Sequence, residues 1–321
     1  MILHHLCALT IAIIIDWFIG DPPKWPHPVK WMGSLISFFT KHLNKGNHRK
    51  GRGVFMLSLI VLLTGLITLT ITILLYQWHP LAGVIGEALM IATTIAQKGL
   101  RDAGLEVYEP LMNKDLPLAR TKLSYIVGRD TEQLDESEIV RGTVETIAEN
   151  TSDGITAPLF WALIGGAPLA MIYRAINTCD SMVGYRNQKY EQFGWASARL
   201  DDWVNWIPSR LTGCIILLFC KPVYLNLKPA WKLFLTDAKK HPSPNSGWCE
   251  AAVAVILGIQ LGGVNYYKGI VSDRARMGQP FEALKAVHIK KTIVIMSSAV
   301  LLFTLFLWIG GITIDIATSW F

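Results

Sequence analysis

Two polar clusters of the sequence carry residue types suited to binding metal ions and phosphates. In the first, a helix is predicted over residues 137–150, where Arg141, Glu145 and Glu149 recur at i+4 spacing and share one face. The oxygen-rich segment 150–154 (NTSDG) follows where the chain becomes apolar. Carboxylate and amide oxygens suit Mg²⁺ and its bound phosphates. An exposed, ion-paired stripe is the structural alternative, but it does not explain the oxygen-rich end.

The second cluster lies in residues 173–210, where acids, amides and guanidinium groups alternate among aromatic residues. Asn177 and Asp180 are three residues apart, as are Asp202 and Asn205, so each pair can point the same way from a helix. Charged groups of this kind are costly near a membrane unless they are used. A simple juxtamembrane anchor needs Lys, Arg and Trp, but it does not need these acids and amides.

Two further polar segments leave a structural and a functional interpretation open. Asp16 lies near the end of the first apolar run, and Asp21 and His27 follow it. The segment is either a membrane-exit turn, or Asp16, Asp21 and His27 line a polar pocket at the interface. The loop 241–247 (HPSPNSG) is stiffened by two prolines and can turn tightly at Asn-Ser-Gly. This loop either presents His241 or Asn245 to a ligand or caps the helix that follows.

The elements that must position these clusters are membrane helices. Hydrophobic residues make up 51% of the 321 residues, charged residues only 17%, and the mean hydropathy is +0.35. A soluble domain usually carries about a quarter charged residues. Residues 53–76 and 292–313 are each long and apolar enough to span a bilayer. Residues 6–20 and 81–97 are predicted to pair with them as an N-terminal anchor and a returning helix.

Three other apolar stretches are weaker: 155–176, 211–220 and 251–264. Gly165-Gly166-Ala167-Pro168 splits the first into halves that are too short to cross, which suits a re-entrant or buried hairpin. We therefore predict an all-α, polytopic membrane protein of the cell membrane, forming a single domain over residues 1–321. Its helices include short or re-entrant ones, and its active site is predicted on cytoplasmic loops.

Charge patterning predicts which loops face the cytoplasm. Residues 21–52 hold seven basic residues and one acid, which the positive-inside rule assigns to the cytoplasm. Two spans later the chain returns to the same side, so residues 99–154 are predicted there too, together with 177–206. The net charge of +6 is spread through the loops. This distribution indicates membrane lipid as a partner and does not indicate nucleic acid.

Five motifs run in order through nearly the whole chain. They are GDPPKWPHPVKWMG, GRDT, VETIAENTSDGITAPLFWALIGGAPLAMIYRAINTCDSMVGYRN, GWASARLDDWVNWIPSRLTG and HPSPNSGWCEAAVA. In these motifs the chain resembles the CobD/CbiB family, the membrane-bound adenosylcobinamide-phosphate synthases of cobalamin biosynthesis. The resemblance implies an amide ligation that uses ATP and Mg²⁺. It would join the propionate carboxylate of adenosylcobyric acid to aminopropanol phosphate or a similar amino-alcohol phosphate.

The chemistry implied by this resemblance gives the polar residues their expected roles. A carboxylate reacts with an amine only after one oxygen becomes a leaving group, and phosphoryl transfer depends on positioning and charge neutralisation. The predicted catalytic acids are Glu145, Glu149, Asp180 and Asp202. The predicted Mg²⁺ ligands are Glu149, Asp153, Asp180, Asp201 and Asp202. The predicted substrate- and phosphate-binding residues are Arg129, Arg174, Arg186, Arg199, Arg210, Asn177, His27, His241 and Asn245.

Several wider expectations accompany these roles. The acids expected to converge around Mg²⁺ and phosphates are Glu145, Glu149, Asp153, Asp180 and Asp202. By residue type alone, Trp195, Trp203 and Trp206 are candidates to line a wide corrinoid pocket. The resemblance implies corrinoid and amino-alcohol phosphate substrates, with other membrane enzymes of late cobalamin assembly as partners.

Two non-enzymatic alternatives share the membrane architecture. The first is a membrane sensor of the AmpE type, which should have lost several of the paired acids and arginines. The second is a transporter for an anionic substrate, which should carry its charges within the spans and often consists of repeated halves. The acids of this chain lie mainly in the polar segments and no repeat is visible, so the enzyme is the leading interpretation.

Overall fold

The computed structural model describes residues 1–22 and 25–319. Pro23 and Lys24, in the first predicted cytoplasmic loop, and Trp320 and Phe321 lie outside the described residues. The helices are α1 (Ile2–Phe18), α2 (Pro28–Leu43), α3 (Arg49–Trp78), α4 (Pro80–Ala92), α5 (Gln97–Met112), α6 (Leu116–Ser124), α7 (Glu136–Thr151), a π-helical turn (Ser152–Thr156), α8 (Ala157–Val183), α9 (Trp195–Val204), α10 (Trp206–Phe219), α11 (Leu227–Asp237), α12 (Ser246–Leu257) and α13 (Val287–Ser319). Strands β1 (Gln260–Tyr267) and β2 (Ile270–Gly278) form one small antiparallel sheet.

Four helical stretches are long and apolar enough to cross a membrane. They are Arg49–Trp78, Pro80–Met112, Glu136–Val183 and Val287–Ile316. The predicted spans 53–76 and 292–313 lie within two of them. Helices α1, α10 and α12 are apolar but shorter. The chain is therefore a polytopic helical membrane protein, as predicted, with the small sheet as its departure from an all-α fold.

Gly165 and Gly166 interrupt α8 at the predicted place. Both have non-helical backbone angles, and Gly166 has a φ of +62°, in the left-handed region that favours glycine. The helix resumes at Ala167 and continues to Val183. The two parts of α8 fold back toward each other at this break, as the expected hairpin requires: the Tyr173 hydroxyl, beyond the break, lies 3.0 Å from the backbone carbonyl of Asp153, just before α8. The second part extends beyond the apolar run 155–176 and ends at Val183.

A buried carboxylate supports the helix at this break. Glu87 Oε1 accepts a hydrogen bond from the backbone N–H of Ala167 at 3.1 Å, where the second half of α8 begins. Glu87 Oε2 accepts from the Tyr76 hydroxyl at 2.8 Å and lies 3.0 Å from His5 Nδ1. A Cβ at Gly166 would meet Glu87 Oε1 at 1.9 Å, which explains the glycine. This intramembrane carboxylate of α4 is thus enclosed by partners from three other helices, α1, α3 and α8.

The chain divides into two compact units, each built from non-consecutive segments. The first contains Met1–Ala96, Asp153–Asn205 and the chain from Thr304 onward, and the second contains Gln97–Ser152 and Trp206–Phe303. In the first unit, α8 packs against α1, α2, α3, α4 and α9. In the second, the wholly buried α12 packs against α7, α10, α11 and both strands. The single domain expected over residues 1–321 stays a prediction.

The β1–β2 hairpin occupies sequence for which the pattern gave only an apolar stretch, 251–264. Helix α12 ends before Gly258, which has a φ of +68°, and β1 begins two residues later. Lys268 and Gly269 form the two-residue connection between Tyr267 and Ile270, with φ values of 52° and 77°. Positive φ at both positions is the geometry that matches the right-handed twist of a hairpin. The apolar stretch is therefore a helix end followed by a strand.

Candidate functional site

In the second unit, α7 turns the predicted acid–arginine face toward protein. The helix begins at Asp135, whose Oδ1 accepts a hydrogen bond from the backbone N–H of Glu138 at 2.8 Å. Arg141 and Glu145 are only 7% and 4% exposed. An exposed ion-paired stripe therefore does not describe this face, because buried charges must be paired and hydrogen-bonded.

Glu145 lies at the centre of a satisfied network that fastens β1 to α7. Its Oε2 lies 2.5 Å from Nη2 of Arg129, and its Oε1 accepts from the backbone N–H of Gly262 at 2.8 Å. Arg129 also donates to the side-chain oxygen of Asn265. Arg141 donates to two carbonyl oxygens of β1. These guanidinium groups are thus committed to protein partners and hold the hairpin in place.

The last acid of this face, Glu149, borders the predicted histidine loop. Glu149 Oε1 accepts from the Ser246 hydroxyl at 2.7 Å. His241 Nε2 lies 3.6 Å from Glu250 Oε1, and both side chains are buried. His241 Nδ1 lies 3.0 Å from the backbone nitrogen and 3.3 Å from the carbonyl oxygen of Ser243, so the loop backbone holds the ring in place. Burial lowers the pKa of His241, while the charge of Glu149 opposes the change.

Arg210 and Asn245 meet next to the same loop. Arg210 Nη1 donates to the Trp206 carbonyl at 2.7 Å and lies 3.3 Å from Asn245 Oδ1. The Arg210 guanidinium also stacks on the rings of Trp206 and Trp248, at 4.2 Å and 4.8 Å from their centroids. In the same loop, Ser243 Oγ accepts from the backbone N–H of Ser246, the first residue of α12, at 3.3 Å. The loop therefore contributes a hydrogen bond to the start of the helix that follows, which is one of the two roles weighed for it.

In the first unit, α8 and α9 assemble the second polar cluster. Asn177 Nδ2 donates to Asp201 Oδ1 at 3.3 Å. The buried Tyr173 hydroxyl lies 2.7 Å from Asn205 Oδ1 and 3.0 Å from the backbone carbonyl of Asp153. The turn that contains Asp153 is thereby tied to the helix that carries the acids.

Negative charge is concentrated around Asp201, which is only 8% exposed. Burial, followed by the charge of Asp180, raises the pKa of Asp201 to about 8. Burial also raises the pKa of Asp202, against the opposing charges of Arg199 and Arg186. A divalent cation bound beside Asp180 and Asp201 would offset the repulsion between their carboxylates. The donor set fits Mg²⁺, which often takes one or two carboxylates and completes its shell with water and phosphate.

The sequence predicted a larger metal site, at which acids of both polar clusters surround the ion. Across residues 1–22 and 25–319, no group of three or more His, Cys, Asp or Glu side chains is arranged to hold a metal ion. Glu145 and Glu149 belong to the second unit, whereas the first unit contains Asp153, Asp180, Asp201 and Asp202. The convergence of all these acids stays a prediction.

Asp202 and Asn205, which by spacing can point the same way from a helix, have different surroundings. Asn205 is fully buried beside Tyr173, whereas Asp202 is partly exposed and interacts with Arg199 and Arg186. Asp201, four residues before Asn205, is the acid that interacts with it. Spacings of three and four residues both place side chains on one helical face, so spacing alone could not choose between the adjacent acids.

His27 is the residue before α2 and caps its first turn. Its Nδ1 accepts from a backbone N–H in the first turn of α2, and its Nε2 lies 2.9 Å from Asp21 Oδ1. Arg174 lies within electrostatic range of Asp21 and Asp153, and its Nη1 is 3.4 Å from Asn177 Oδ1. A substrate-binding role for His27 stays a prediction. The three candidate corrinoid-lining tryptophans, Trp195, Trp203 and Trp206, are all exposed.

Sequence reasoning missed two residues of the α7–β1 network, Asn265 and Arg274. Asn265 accepts from Arg129, and Arg274 Nη2 donates to the Tyr267 hydroxyl at 2.8 Å. Arg274 also interacts electrostatically with three glutamates of this unit, Glu250, Glu149 and Glu145. The available signal was Lys268-Gly269 between aromatic and β-branched residues, a pattern typical of a two-residue hairpin.

Comparisons with known proteins bear on the whole chain. The sequence profile described as CobD/Cbib protein matches residues 9–296. The chain is 54% identical to the cobalamin biosynthesis protein CobD of Halalkalibacterium halodurans, over 97% of this chain and 98% of that relative. Proteins of the same name from Clostridium perfringens and Geobacter metallireducens are 45% and 46% identical, covering 89% and 91% of this chain and 92% of each relative. No solved structure is significantly similar.

Proposed function

Because the chain belongs to the CobD/CbiB family and has a role in cobalamin biosynthesis, we propose that it is an ATP-dependent amide ligase. Its substrates would be adenosylcobyric acid and aminopropanol phosphate or a similar amino-alcohol phosphate, and its product would be adenosylcobinamide phosphate. The observation that supports this most is the α8–α9 cluster. There, Asp201 is buried beside Asp180 in a helical membrane protein, with Arg174 on the same helix as Asp180.

In this proposal, the α8–α9 cluster binds the phosphate groups. Asp180 and Asp201 hold Mg²⁺, which, when bound, neutralises charge on the transferring phosphoryl group. Arg174, Arg186 and Arg199 bind phosphate oxygens. Replacing Arg186 by Lys should weaken substrate binding, because a point charge cannot replace the bidentate guanidinium fork. The partly exposed Asp202 would orient Arg186 and Arg199.

The α7–β1 network takes a different role in this proposal. Glu145 is a positioning residue, because both of its oxygens are bound to Arg129 and Gly262. Arg129 then serves Glu145 and Asn265 rather than a phosphate. We propose that Glu149, which lies near the neutral His241, is the residue of this network that contacts substrate.

The alternatives predict other features. A sensor without activity does not require the partly buried Asp180 and the buried Asp201 next to each other, and their cost supports a retained chemical role. A transporter requires charges along a path through the spans. The intramembrane Glu87 is instead enclosed by His5, Tyr76 and the N–H of Ala167. Both features favour the ligase.

We also propose that residues 21–52, 99–154 and 177–206 face the cytoplasm of a cell-membrane protein. In the structure the first two of these segments contain helices, α2 and α5 to α7. Single cysteines at Asn47 and Asn113 should both react with an impermeant thiol reagent only from the cytoplasmic side. Labelling of the two positions from opposite sides would contradict this orientation.

The proposed ligation can be tested on the purified protein in lipid nanodiscs. With MgATP, both substrates together should give adenosylcobinamide phosphate and consume ATP in proportion. Omitting either the corrinoid acid or the amino-alcohol phosphate should stop ATP consumption, because the coupled reaction requires both. ATP consumption without the corrinoid, or the absence of the amide product from complete mixtures, would contradict the proposal.

A further inference from the structure

A basic cavity of about 450 Å³ opens in the first unit at the end of α2 and the start of α3. Its lining includes the cationic side chains of Lys41, Lys45, Arg49 and Lys189 and no acidic residue. In the described part of the chain, none of these four groups forms a salt bridge. Four unneutralised cations around one concave space create a positive potential that favours an anion.

The frame of this cavity is held by hydrogen bonds and apolar packing. Asn44 ends α2, and its Nδ2 donates to the backbone carbonyl of Lys189 at 2.9 Å. Asn187 Oδ1 accepts from the backbone N–H groups of Lys189 and Tyr190, which fixes the turn on the opposite side. Met182 and Val183 of α8 add an apolar part of the lining. The cations thus surround a cavity whose walls are held by backbone hydrogen bonds and apolar side chains.

The position of Arg49 sets the depth of the cavity relative to a bilayer. Arg49 is the first residue of α3, and the uncharged apolar run begins at Gly53. Four residues of helix correspond to about 6 Å. The polar headgroup layer on each side of the roughly 30 Å hydrocarbon core is of similar thickness, about 6 Å. The cations therefore lie at the level of lipid phosphates.

A second, apolar cavity of about 380 Å³ extends along the same side of α3. It is lined by Ile60, Ile67 and Ile71 of α3 together with Trp31 and other residues. Residues 11 and 18 positions apart on a helix lie on the same side, so Ile60 and Ile67 are on the side of Arg49. Ile60 lies about 16 Å beyond Arg49 along the axis. An acyl chain spans about half of the 30 Å core, roughly 15 Å, and reaches this cavity.

We propose that the basic cavity binds the phosphate of an anionic phospholipid, with one acyl chain directed along α3 toward the apolar cavity. The shared chemistry is a phosphate group, which a free phosphate could also supply. The depth of the site and the apolar surface beyond it favour the lipid. The lining of this lipid site contains none of the phosphate-binding residues proposed for the ligation, which lie on α8, on α9 and in the segment between them.

The test uses the full-length protein in nanodiscs that contain equal amounts of phosphatidylglycerol and phosphatidylcholine. Lipid that remains bound after gentle release is identified by native mass spectrometry. The wild type should retain phosphatidylglycerol at least tenfold over phosphatidylcholine, and the triple variant Lys41→Gln, Lys45→Gln, Arg49→Gln should lose this preference. The matched control is Lys228→Gln, Lys232→Gln, Lys239→Gln. It removes the same charge from exposed positions outside the cavity and should keep the preference.

A second variant distinguishes loss of the positive charge from misfolding as the cause of lost lipid binding. Arg49→Lys keeps the positive charge and should keep most of the bound phosphatidylglycerol. Inorganic phosphate at millimolar concentration should not displace the lipid. Three results would overturn the proposal: equal retention of both lipids by the wild type, equal loss in the cavity and control variants, or binding of inorganic phosphate without phosphatidylglycerol enrichment. Ligation is measured in parallel, because a loss of ligation with normal lipid retention concerns only the proposed function.

Discussion

The α7–β1 network and the α8–α9 cluster contain similar residue types but handle charge in opposite ways. In the first, Glu145 is paired with Arg129 at 2.5 Å, and every oxygen of the glutamate has a protein partner. In the second, Asp201 is buried beside Asp180, and the pKa of Asp201 is raised to about 8 by burial and by that neighbour. One group of charges is paired within the protein, and in the other, under the proposed function, a bound cation would offset the repulsion between the two carboxylates.

This difference distinguishes the α7–β1 network, which acts as a scaffold of the fold, from the α8–α9 cluster, which is the proposed site. A buried ion pair is strongly destabilised when one partner is removed, because the remaining charge has no compensation. A buried cluster of like charges behaves in the opposite way, since removing one charge relieves repulsion in the folded state. Substitutions of the two kinds should therefore differ in whether stability or activity falls.

The largest expected effect is the loss of stability when the ion pair is broken. Glu145→Gln leaves the Arg129 guanidinium buried without its carboxylate, which should cost about 3–5 kcal/mol of the free energy of unfolding. Glu138→Gln is the matched control on the same helix. Glu138 is 39% exposed, lies 3.8 Å from Arg141, and should cost at most about 0.5 kcal/mol. Thermal unfolding in detergent compares them, and equal losses would remove the distinction between scaffold and site.

The next effect concerns activity without loss of stability. Asp180→Asn keeps the shape but removes one charge, so ligation should fall roughly a hundredfold, about 2.7 kcal/mol in the barrier. Thermal stability should stay the same or rise, because repulsion with Asp201 is relieved. Glu191→Gln, at an exposed position outside the cluster, should ligate at the normal rate. Normal ligation by Asp180→Asn would assign Asp180 a structural role only.

The smallest effect is a pH dependence of folding. The pKa of Asp201 is raised from 3.8 to about 8, so between these values the folded state holds a proton that the unfolded state releases. Stability must then fall as pH rises through this window, by about 1.4 kcal/mol per pH unit for one proton. The wild type should therefore lose about that much between pH 6 and pH 7, and Asp201→Asn should lose less. Parallel pH profiles of the two proteins would contradict the raised pKa.

Much of the fold could be predicted from the lengths of the apolar runs in the sequence. Residues 53–76 and 292–313 could be recognised as spans because no other environment accommodates such uncharged runs. The Gly165-Gly166 break was also predictable, but the length of α8 beyond it was not. Helix α8 continues through the polar residues Arg174, Asn177 and Asp180, where hydropathy falls although the helix does not end.

Residue types predicted which side chains belong to the site. They predicted less well which of these side chains contact each other. Asp180 and Asn177 could be selected because polar groups beside apolar helices are costly. The acid that interacts with Asn205 is Asp201 rather than Asp202, and helical spacing permits both. Asn265 and Arg274 could not be linked to α7, because their contacts depend on a hairpin more than one hundred residues away.

Binding of Mn²⁺ in place of Mg²⁺ tests most directly whether the α8–α9 acids form the metal and phosphate site. The bound ion is measured by electron paramagnetic resonance, with a non-hydrolysable ATP analogue present. The double variant Asp180→Asn, Asp201→Asn should bind Mn²⁺ at least tenfold more weakly than the wild type, while Glu138→Gln should bind it normally. Unchanged Mn²⁺ affinity in the double variant would contradict this assignment.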